Sequence, residues 1–320
     1  MIRLIGVGLF SLKKRWLPYV LLLLMFGYLG YMSGLGYSSA TAVFDTHPEL
    51  SYSDYAEAEA QSLAEGKTEV KVFYKEYDDQ GELESVGYLT LQVGRFDSVL
   101  LPTALDGKFG YMNLLVMLLS ILAASVVGSE YAQGTLQKAV AKGVPRSSYI
   151  ISKFAVLAFI AIGFILFCTA FIFISSMITT WLITGGISWN FLTAEFIGST
   201  LLNMAYVFLI AMAYICISAF VAIALKSSIA GILAGFVAFN IEAIMVQMAA
   251  TSNPTALLGY TLSYNTIYLF NHISPSIANA GVVQSALTNP AQATLALGLY
   301  CVLFILTSFI IFRRQNITAR

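Results

Sequence analysis

The stretch FAVLAFIAIGFILFCTAFIFISSMITTWLI, residues 154–183, contains no Asp, Glu, Lys or Arg. A helix rises about 1.5 Å per residue and a bilayer core is about 30 Å thick, so roughly 20 apolar residues are enough to cross it. Apolar residues make up 58% of the chain and charged residues 11%, against roughly 25% charged residues in soluble domains. The sequence therefore predicts an all-α polytopic membrane protein with six transmembrane helices. They are expected at residues 17–36, 110–127, 149–183, 196–225, 229–250 and 291–312.

The basic residues predict the orientation of these helices. With six crossings, twelve of the seventeen basic residues fall on one side of the membrane, together with a single acid, Glu130. Short cytoplasmic loops are enriched in Lys and Arg. We therefore expect a multi-pass protein of the plasma membrane with both termini in the cytoplasm. Residues 1–16 place apolar side chains ahead of Lys13, Lys14 and Arg15, which favours a helix along the inner leaflet; a frayed tail is the alternative.

Two segments, 39–109 and 251–290, are then extracellular. The first holds fourteen of the seventeen acids and five basic residues. An Ala- and Glu-rich run at 51–65, followed by alternating strands around a turn at 78–81, predicts a small α+β insertion. Its acidic residues either attract a cationic substrate or keep the insertion soluble. Residues 251–290 contain no charged side chain but three prolines, which predicts re-entrant helices before the sixth crossing.

Composition also excludes several classes of function. No overall basic surface exists, which argues against nucleic-acid binding. The cysteines are scattered through apolar runs without metal-ligand spacing, and the two histidines are isolated. No cofactor or metal site is therefore expected in this chain, and a membrane-embedded enzyme is disfavoured.

The connection between the second and third crossings is SEYAQGTLQKAVAKGVPRSSYIISK, residues 129–153. Leu136, Ala139 and Val140 share one helical face, and Lys138 and Lys142 share another. Gly and Pro then end the helix. The pattern predicts a short amphipathic helix, led by an acid, just inside the membrane between two long crossings, within residues 129–147. An ordinary cytoplasmic loop is the alternative.

This connection resembles the coupling-helix region of ABC transporter permeases of the type 2 exporter class, which have the ABCG-like fold. The resemblance rests on Glu130, on Gly134-Thr135-Leu136, and on Pro145-Arg146-Ser147 with Lys153, and Lys138 is included among the ATPase-coupling residues that it implies. The six crossings, the inner-leaflet helix and the re-entrant segment extend it over most of the chain. Gln137, where the family often has a basic residue, and the later position of Pro145 are departures.

The resemblance implies a transport subunit that is not itself an enzyme. A separate cytoplasmic ABC ATPase, present in two copies, would bind ATP and Mg and move the coupling helix. The chain has no GxxxxGK[ST] phosphate loop with which to bind ATP itself. A second permease, identical or paralogous, would complete the exporter. The substrate would be amphipathic or hydrophobic, with a peptide or antibiotic favoured.

In this family the second and fifth crossings of both permeases line the central path. That implies path residues at Asn113, Met117, Asn240, Glu242 and Gln247. Glu242 stands out independently, because a carboxylate inside a bilayer costs about 2.5–3.5 kcal/mol on insertion scales. It is either a substrate contact or a protonated packing residue. The alternative function is a stand-alone secondary transporter or channel that uses Glu242 as a proton or substrate site.

Overall fold

The computed structural model describes residues 2–13, 15–77, 83–252, 259–273 and 289–315. The protein is mostly helical and has one small two-stranded sheet. In chain order the elements are α1 (Ile2–Lys13), α2 (Leu17–Thr46), α3 (Tyr52–Ala64), β1 (Glu69–Tyr77), β2 (Leu83–Gln92), α4 (Thr103–Phe109), a 3₁₀ turn (Gly110–Met112), α5 (Asn113–Ala132), α6 (Thr135–Ala141), α7 (Arg146–Thr184), α8 (Ala194–Leu225), α9 (Ser228–Ser252), α10 (Leu262–Ile273) and α11 (Pro290–Arg314).

Five helical segments among the described residues are long and apolar enough to cross a membrane. They are Leu17–Thr46, Thr103–Ala132, Arg146–Thr184, Ala194–Leu225 and Pro290–Arg314. The predicted crossing at 229–250 lies in α9, where Ser228–Ile241 is a shorter apolar helix. The membrane character predicted from composition is thus supported, and the sixth crossing and the sidedness stay predictions.

Several helices extend beyond their predicted bounds. Helix α2 runs ten residues past position 36 to Thr46, because Ala40 and Val43 in the extension are buried in the core of the α+β insertion. Helix α7 begins at Arg146 and has 39 residues, enough for about 58 Å of length. Of the predicted re-entrant segment, α10 is described, and residues 253–258 and 274–288 lie outside the described residues.

The chain divides into two compact units. The first comprises Met1–Gly27, Phe109–Ala170 and Ile197–Arg320, and the second comprises Tyr28–Lys108 and Phe171–Phe196. In the first unit, α5 packs against α9. Helix α5 belongs to the most enclosed of the five candidate crossings, since 67% of that crossing's apolar window is buried against 17% for α11.

The second unit contains the predicted α+β insertion. Ser51 caps α3 through a capping box with Asp54, as expected for a Ser that precedes a helix. Strands β1 and β2 pair antiparallel, with Val70 opposite Leu91 and Val72 opposite Leu89. These side chains point into a core with Tyr55 and Phe96. The predicted turn at 78–81 lies outside the described residues.

Candidate functional site

Glu130 lies in the last turn of α5, not at the start of the following helix. Helix α5 continues to Ala132 and Gly134, with φ +63, ends it, since glycine adopts this left-handed conformation readily. The amphipathic helix is therefore α6, Thr135–Ala141. A carboxylate at a helix C-terminus opposes the helix dipole. Its stabilisation must come from tertiary partners rather than from its own helix.

Two residues of α7 provide those partners. The Tyr149 hydroxyl donates to Glu130 Oε2, and the Lys153 ammonium donates to Glu130 Oε1. Glu130 is only 7% exposed, so the ion pair is largely removed from solvent. Charge-assisted hydrogen bonds are the stronger kind, and a buried carboxylate requires such partners. The arrangement fastens the end of α5 to the first two turns of α7.

The same end of the first unit includes α11 and α8. Tyr131 donates to Gln315 Oε1 at 3.1 Å, and Gln315 Nε2 donates to the carbonyl of Ile223 at 2.7 Å. Arg146 Nη1 lies 3.0 Å from the carbonyl oxygens of both Arg313 and Gln315. A cation beside the last carbonyls of a helix is favourable. The C-terminal end of α11 is therefore held to α5, α7 and α8 by polar contacts.

Helix α6 has one covered side and one open side. Leu136 is 3% exposed and lines a small cavity with Tyr149, Ile150 and Phe312. Lys138 and Lys142 are exposed, as is Pro145 beyond the helix. The helix thus presents two ammonium groups outward, while Leu136 on its other side is buried beside a cavity that residues of α7 and α11 also line. Because both lysines are already exposed, this face can bind an acidic surface of another protein without a conformational change in α6.

Helix α1 also reaches this region. Arg15 Nη1 donates to Ser129 Oγ at 2.7 Å, one residue before Glu130. A Cβ built on Gly8 would lie 2.9 Å from a Val156 side-chain carbon, so α1 lies against α7. The end of α5 therefore has polar contacts with Arg15, which follows α1, with α7 and with Gln315 at the end of α11.

The predicted path residues fall on α5 and α9. Met117 and Asn240 are brought together, with Asn240 Nδ2 lying 3.9 Å from Met117 Sδ. Asn240 also donates to the Phe236 carbonyl at 3.0 Å. Asn113 is exposed at the start of α5. The side chains of Glu242 and Gln247 lie outside the described residues, so their predicted role stays a prediction.

Small residues allow α5 and α8 to pack closely against α9. A Cβ on Gly128 would lie 2.4 Å from the backbone of Ser228, and one on Gly235 would lie 2.2 Å from Ser218 Oγ. Real Cβ contacts are essentially never this short, so Gly128, which faces backbone, is required by packing, whereas a side chain at Gly235 would require the Ser218 and Ser120 hydroxyls to move. Gly30 and Gly34 have the same spacing in sequence as Gly231 and Gly235, but a Cβ on either would meet nothing closer than 3.9 Å.

Sequence reasoning named Lys153 in the resemblance but did not pair it with Glu130, and it missed Tyr149 and Lys108. Tyr149 and Lys153 are four residues apart in sequence, which places them on the same face of α7. That spacing was the sequence signal that the two side chains could act together. In the second unit, Lys108 is 3% exposed and donates to Ser176 Oγ at 3.0 Å. No carboxylate of the described residues forms an ion pair with Lys108. Its depth in the insertion could not be read from the sequence.

Comparison with known proteins gives one family. No curated protein matches the chain. Among the described residues, no group of three or more His, Cys, Asp or Glu side chains could hold a metal ion. Residues 72–318 match the family described as "Protein of unknown function (DUF2705)", and because these residues are more than half of the chain, the protein belongs to that family.

Proposed function

We propose that this chain is the transmembrane permease subunit of an ATP-driven ABC exporter of the plasma membrane. The observation that carries the proposal is the setting of α6. This seven-residue helix connects two candidate crossings and exposes Lys138 and Lys142. Directly before it, Glu130 joins α5 to α7.

The contacts explain how a push on α6 would reach the membrane. Only Gln133 and Gly134 separate α6 from α5. The Glu130 carboxylate fixes the end of α5 to Lys153 and Tyr149, so α5 and α7 would move together. Helix α5 in turn packs against α9 through Gly128. Closely packed helices transmit displacement because their contacts do not compress.

In this proposal both termini and α6 are cytoplasmic, and residues 39–109 and 251–290 are extracellular. Two ATPase subunits bind ATP and Mg, and two permeases form the path. The central path is lined by α5 and α9 of both permeases, and in this chain Met117 of α5 and Asn240 of α9 lie together. Asn113, Glu242 and Gln247 belong to the same path. The cargo is amphipathic or hydrophobic, with a peptide or antibiotic as the favoured class.

The test is retention of an ATPase by the tagged full-length chain. The chain is co-expressed with its neighbouring genes, and the purified membrane complex is assayed for an ABC ATPase subunit. The double variant Lys138→Glu, Lys142→Glu should reduce retention several-fold, because it reverses the exposed charge of α6. Lys226→Glu is the matched control, since Lys226 is also exposed and lies in another connection predicted on the same side.

Two results would overturn the proposal. One is that no ATPase is retained and that Glu130→Ala leaves export intact. The other is export driven by a proton gradient without ATP, which would favour the stand-alone transporter that uses Glu242. A reduction by the Lys226 control equal to that by the α6 variant would show that general charge, rather than α6, governs retention.

A further inference from the structure

Side chains at one end of the first unit bind backbone groups of helices other than their own. The last four carbonyl oxygens of an α-helix have no hydrogen-bond partner inside that helix. Ile223 lies in the last turn of α8, which ends at Leu225, and its carbonyl accepts from Gln315 Nε2 at 2.7 Å. Gln315 directly follows α11. The last turn of α8 is therefore capped by a residue from the end of α11.

The end of α11 is capped in the same way. Arg313 lies in the last turn of α11, and its carbonyl accepts from Arg146 Nη1 at 3.0 Å, as does the carbonyl of Gln315. Arg146 is the first residue of α7. Gln315 Oε1 accepts from the hydroxyl of Tyr131, in the last turn of α5, at 3.1 Å. We name Tyr131, Arg146, Ile223, Arg313 and Gln315 the helix-end network.

Gln315 lies at the centre of the helix-end network. Its side-chain amide uses its oxygen as the acceptor for α5 and its nitrogen as the donor to α8. Its backbone N–H donates to the Ile311 carbonyl at 3.0 Å, which keeps the residue attached to α11. Ile223 is buried, so water does not readily replace a partner that its carbonyl loses. One side chain therefore connects the ends of α5, α8 and α11.

An aromatic contact joins this network to the Glu130 ion pair. Tyr149, which donates to Glu130, stacks on Phe312 of α11 with ring centres 6.1 Å apart and ring planes 8° apart. Phe312 is 2% exposed. Helix α11 is therefore packed, three residues before Gln315, against the tyrosine that holds the end of α5 to α7.

The end of α8 leads directly into α9. Only Lys226 and Ser227 separate α8 from Ser228, where α9 begins. A Cβ on Gly128 of α5 would meet the backbone of the same Ser228. A displacement of the end of α8 therefore reaches the start of α9, one of the two helices that the proposed function assigns to the path.

We propose that Gln315 is a positioning residue that makes the ends of α8 and α11 move together with α5 when α6 is displaced. The inference rests on the proposed function for the source of the displacement. It adds a second route from α6 to the path. The first route passes from Gly128 of α5 to Ser228 of α9, and the second passes from Tyr131 through Gln315 to the end of α8.

The first experiment measures the network without an ATPase. Backbone hydrogen exchange of the full-length chain in nanodiscs is followed by mass spectrometry at residues 216–225 of α8 and 304–314 of α11. Gln315→Met should raise the exchange rate at both ends by about tenfold or more, because each lost hydrogen bond is worth roughly fivefold in the local opening equilibrium.

Two further variants make this result specific. Tyr131→Phe should raise exchange less, and adding it to Gln315→Met should cause no further increase, because its partner is already absent. Thr307→Val is the matched control, since the Thr307 hydroxyl donates to the carbonyls of Leu303 and Phe304 within α11 itself. It should leave exchange at the end of α8 unchanged.

The second experiment measures transmission in the complex with the copurified ATPase. Exchange is compared without nucleotide and with ATP and vanadate. In the wild-type chain, a change at α6 should be accompanied by a change at the ends of α8 and α11. In Gln315→Met the change at α6 should remain, and the change at the end of α8 should fall to less than half. A merely structural role would raise exchange in both states and leave their difference intact.

Tyr131→Phe is the second variant for this experiment, because it removes a single hydroxyl and keeps the contact between Gln315 and Ile223. It should reduce the nucleotide response at the ends of α8 and α11 in the same direction. This variant decides the question if Gln315→Met does not assemble with the ATPase.

A wild-type nucleotide response at the ends of α8 and α11 in these variants would overturn the inference, as would additive effects of Tyr131→Phe and Gln315→Met on exchange. If the ATPase is retained with either result, Gln315 loses this role and the proposed function stands. If no ATPase is retained, the proposed function and the positioning role both fail, while non-additive exchange still identifies the helix-end network.

Discussion

Replacing Glu130 by Gln should destabilise the protein strongly, and the structure gives the size of the effect. The side chains of Lys153 and Glu130 are 15% and 10% exposed, so the pair is screened little by solvent. Removing one partner of a buried ion pair costs about 3–5 kcal/mol, because the other charge stays buried without a counter-charge. The amide of Gln also has one acceptor oxygen where the carboxylate has two, so it cannot accept from both Lys153 and Tyr149 in the same way, and an ammonium accepts no hydrogen bond from the amide N–H group.

A double-variant cycle separates the pair from its surroundings. Lys153→Met alone leaves the carboxylate buried and should cost a similar amount. The combination of Glu130→Gln with Lys153→Met removes both charges and should recover most of the loss, to within about 1–2 kcal/mol of the wild-type chain. Such coupling is expected only between groups that interact directly.

Thermal unfolding in detergent provides the assay, because the buried cysteines react with a thiol-sensitive dye only when the protein opens. Glu130→Gln should lower Tm by about 6–20 °C, because each kcal/mol of lost stability lowers the Tm of a large domain by roughly 2–4 °C. Glu195→Gln is the matched control, since Glu195 is exposed in the first turn of α8. Additive single effects, or a Tm change no larger than the control, would refute the reasoning.

Three further outcomes are expected. Gly128→Val should abolish detergent-stable protein, since its Cβ would meet the backbone of α9 at 2.4 Å, whereas Gly163→Val, with nothing within 4 Å, should fold normally by size-exclusion chromatography. Lys108→Met should leave Tm equal or higher, because a charge with a hydroxyl as its hydrogen-bond partner is removed from a buried position. Burial and Glu59 raise the pKa of Tyr55 above 10.0. The folded state therefore holds the Tyr55 proton more tightly than the unfolded state does. The stability that this difference contributes is present below pH 10.0, the ordinary pKa of tyrosine, and is lost as the pH rises above it. Tyr55→Phe should lose less stability than the wild-type chain between about pH 9 and about pH 11, as followed by unfolding scans.

Local rules predicted the elements whose stabilisation is local. The Ser51 cap, the alternation of β1 and the apolar runs are visible in sequence because neighbouring residues supply the partners. The end of α2 was missed because Ala40 and Val43 gain their stability from the core of the insertion. The end of α5 was missed for a related reason. An acid before an amphipathic run normally starts a helix, but here Glu130 is stabilised by residues 19 and 23 positions later.

Contacts between residues far apart in sequence also determined which sequence patterns correspond to close packing in the fold. A Cβ on Gly231 or Gly235 would meet neighbouring atoms at less than 3 Å, whereas a Cβ on Gly30 or Gly34 would meet nothing closer than 3.9 Å, although the two pairs have the same spacing. The spacing of two glycines four residues apart indicates only that one face of the helix has no bulky side chains there. Whether another helix occupies that face depends on the fold. Gln315 could not have been identified in advance for the same reason, since its partners Tyr131 and Ile223 lie 184 and 92 residues away in sequence.

The proposed function would place a docking surface on α6, a helix that depends on its surroundings for stability. Gly134 at its N-cap makes no side-chain hydrogen bond, whereas α3 and α11 both begin with a complete capping box. A helix of seven residues is far below the roughly 12–15 needed for stability in isolation. The position of α6 is therefore set by Leu136 and by its connections to α5 and α7. A protein bound to Lys138 and Lys142 would act on the least self-sufficient helix of the region, and the Glu130 pair would carry its displacement into the two long helices.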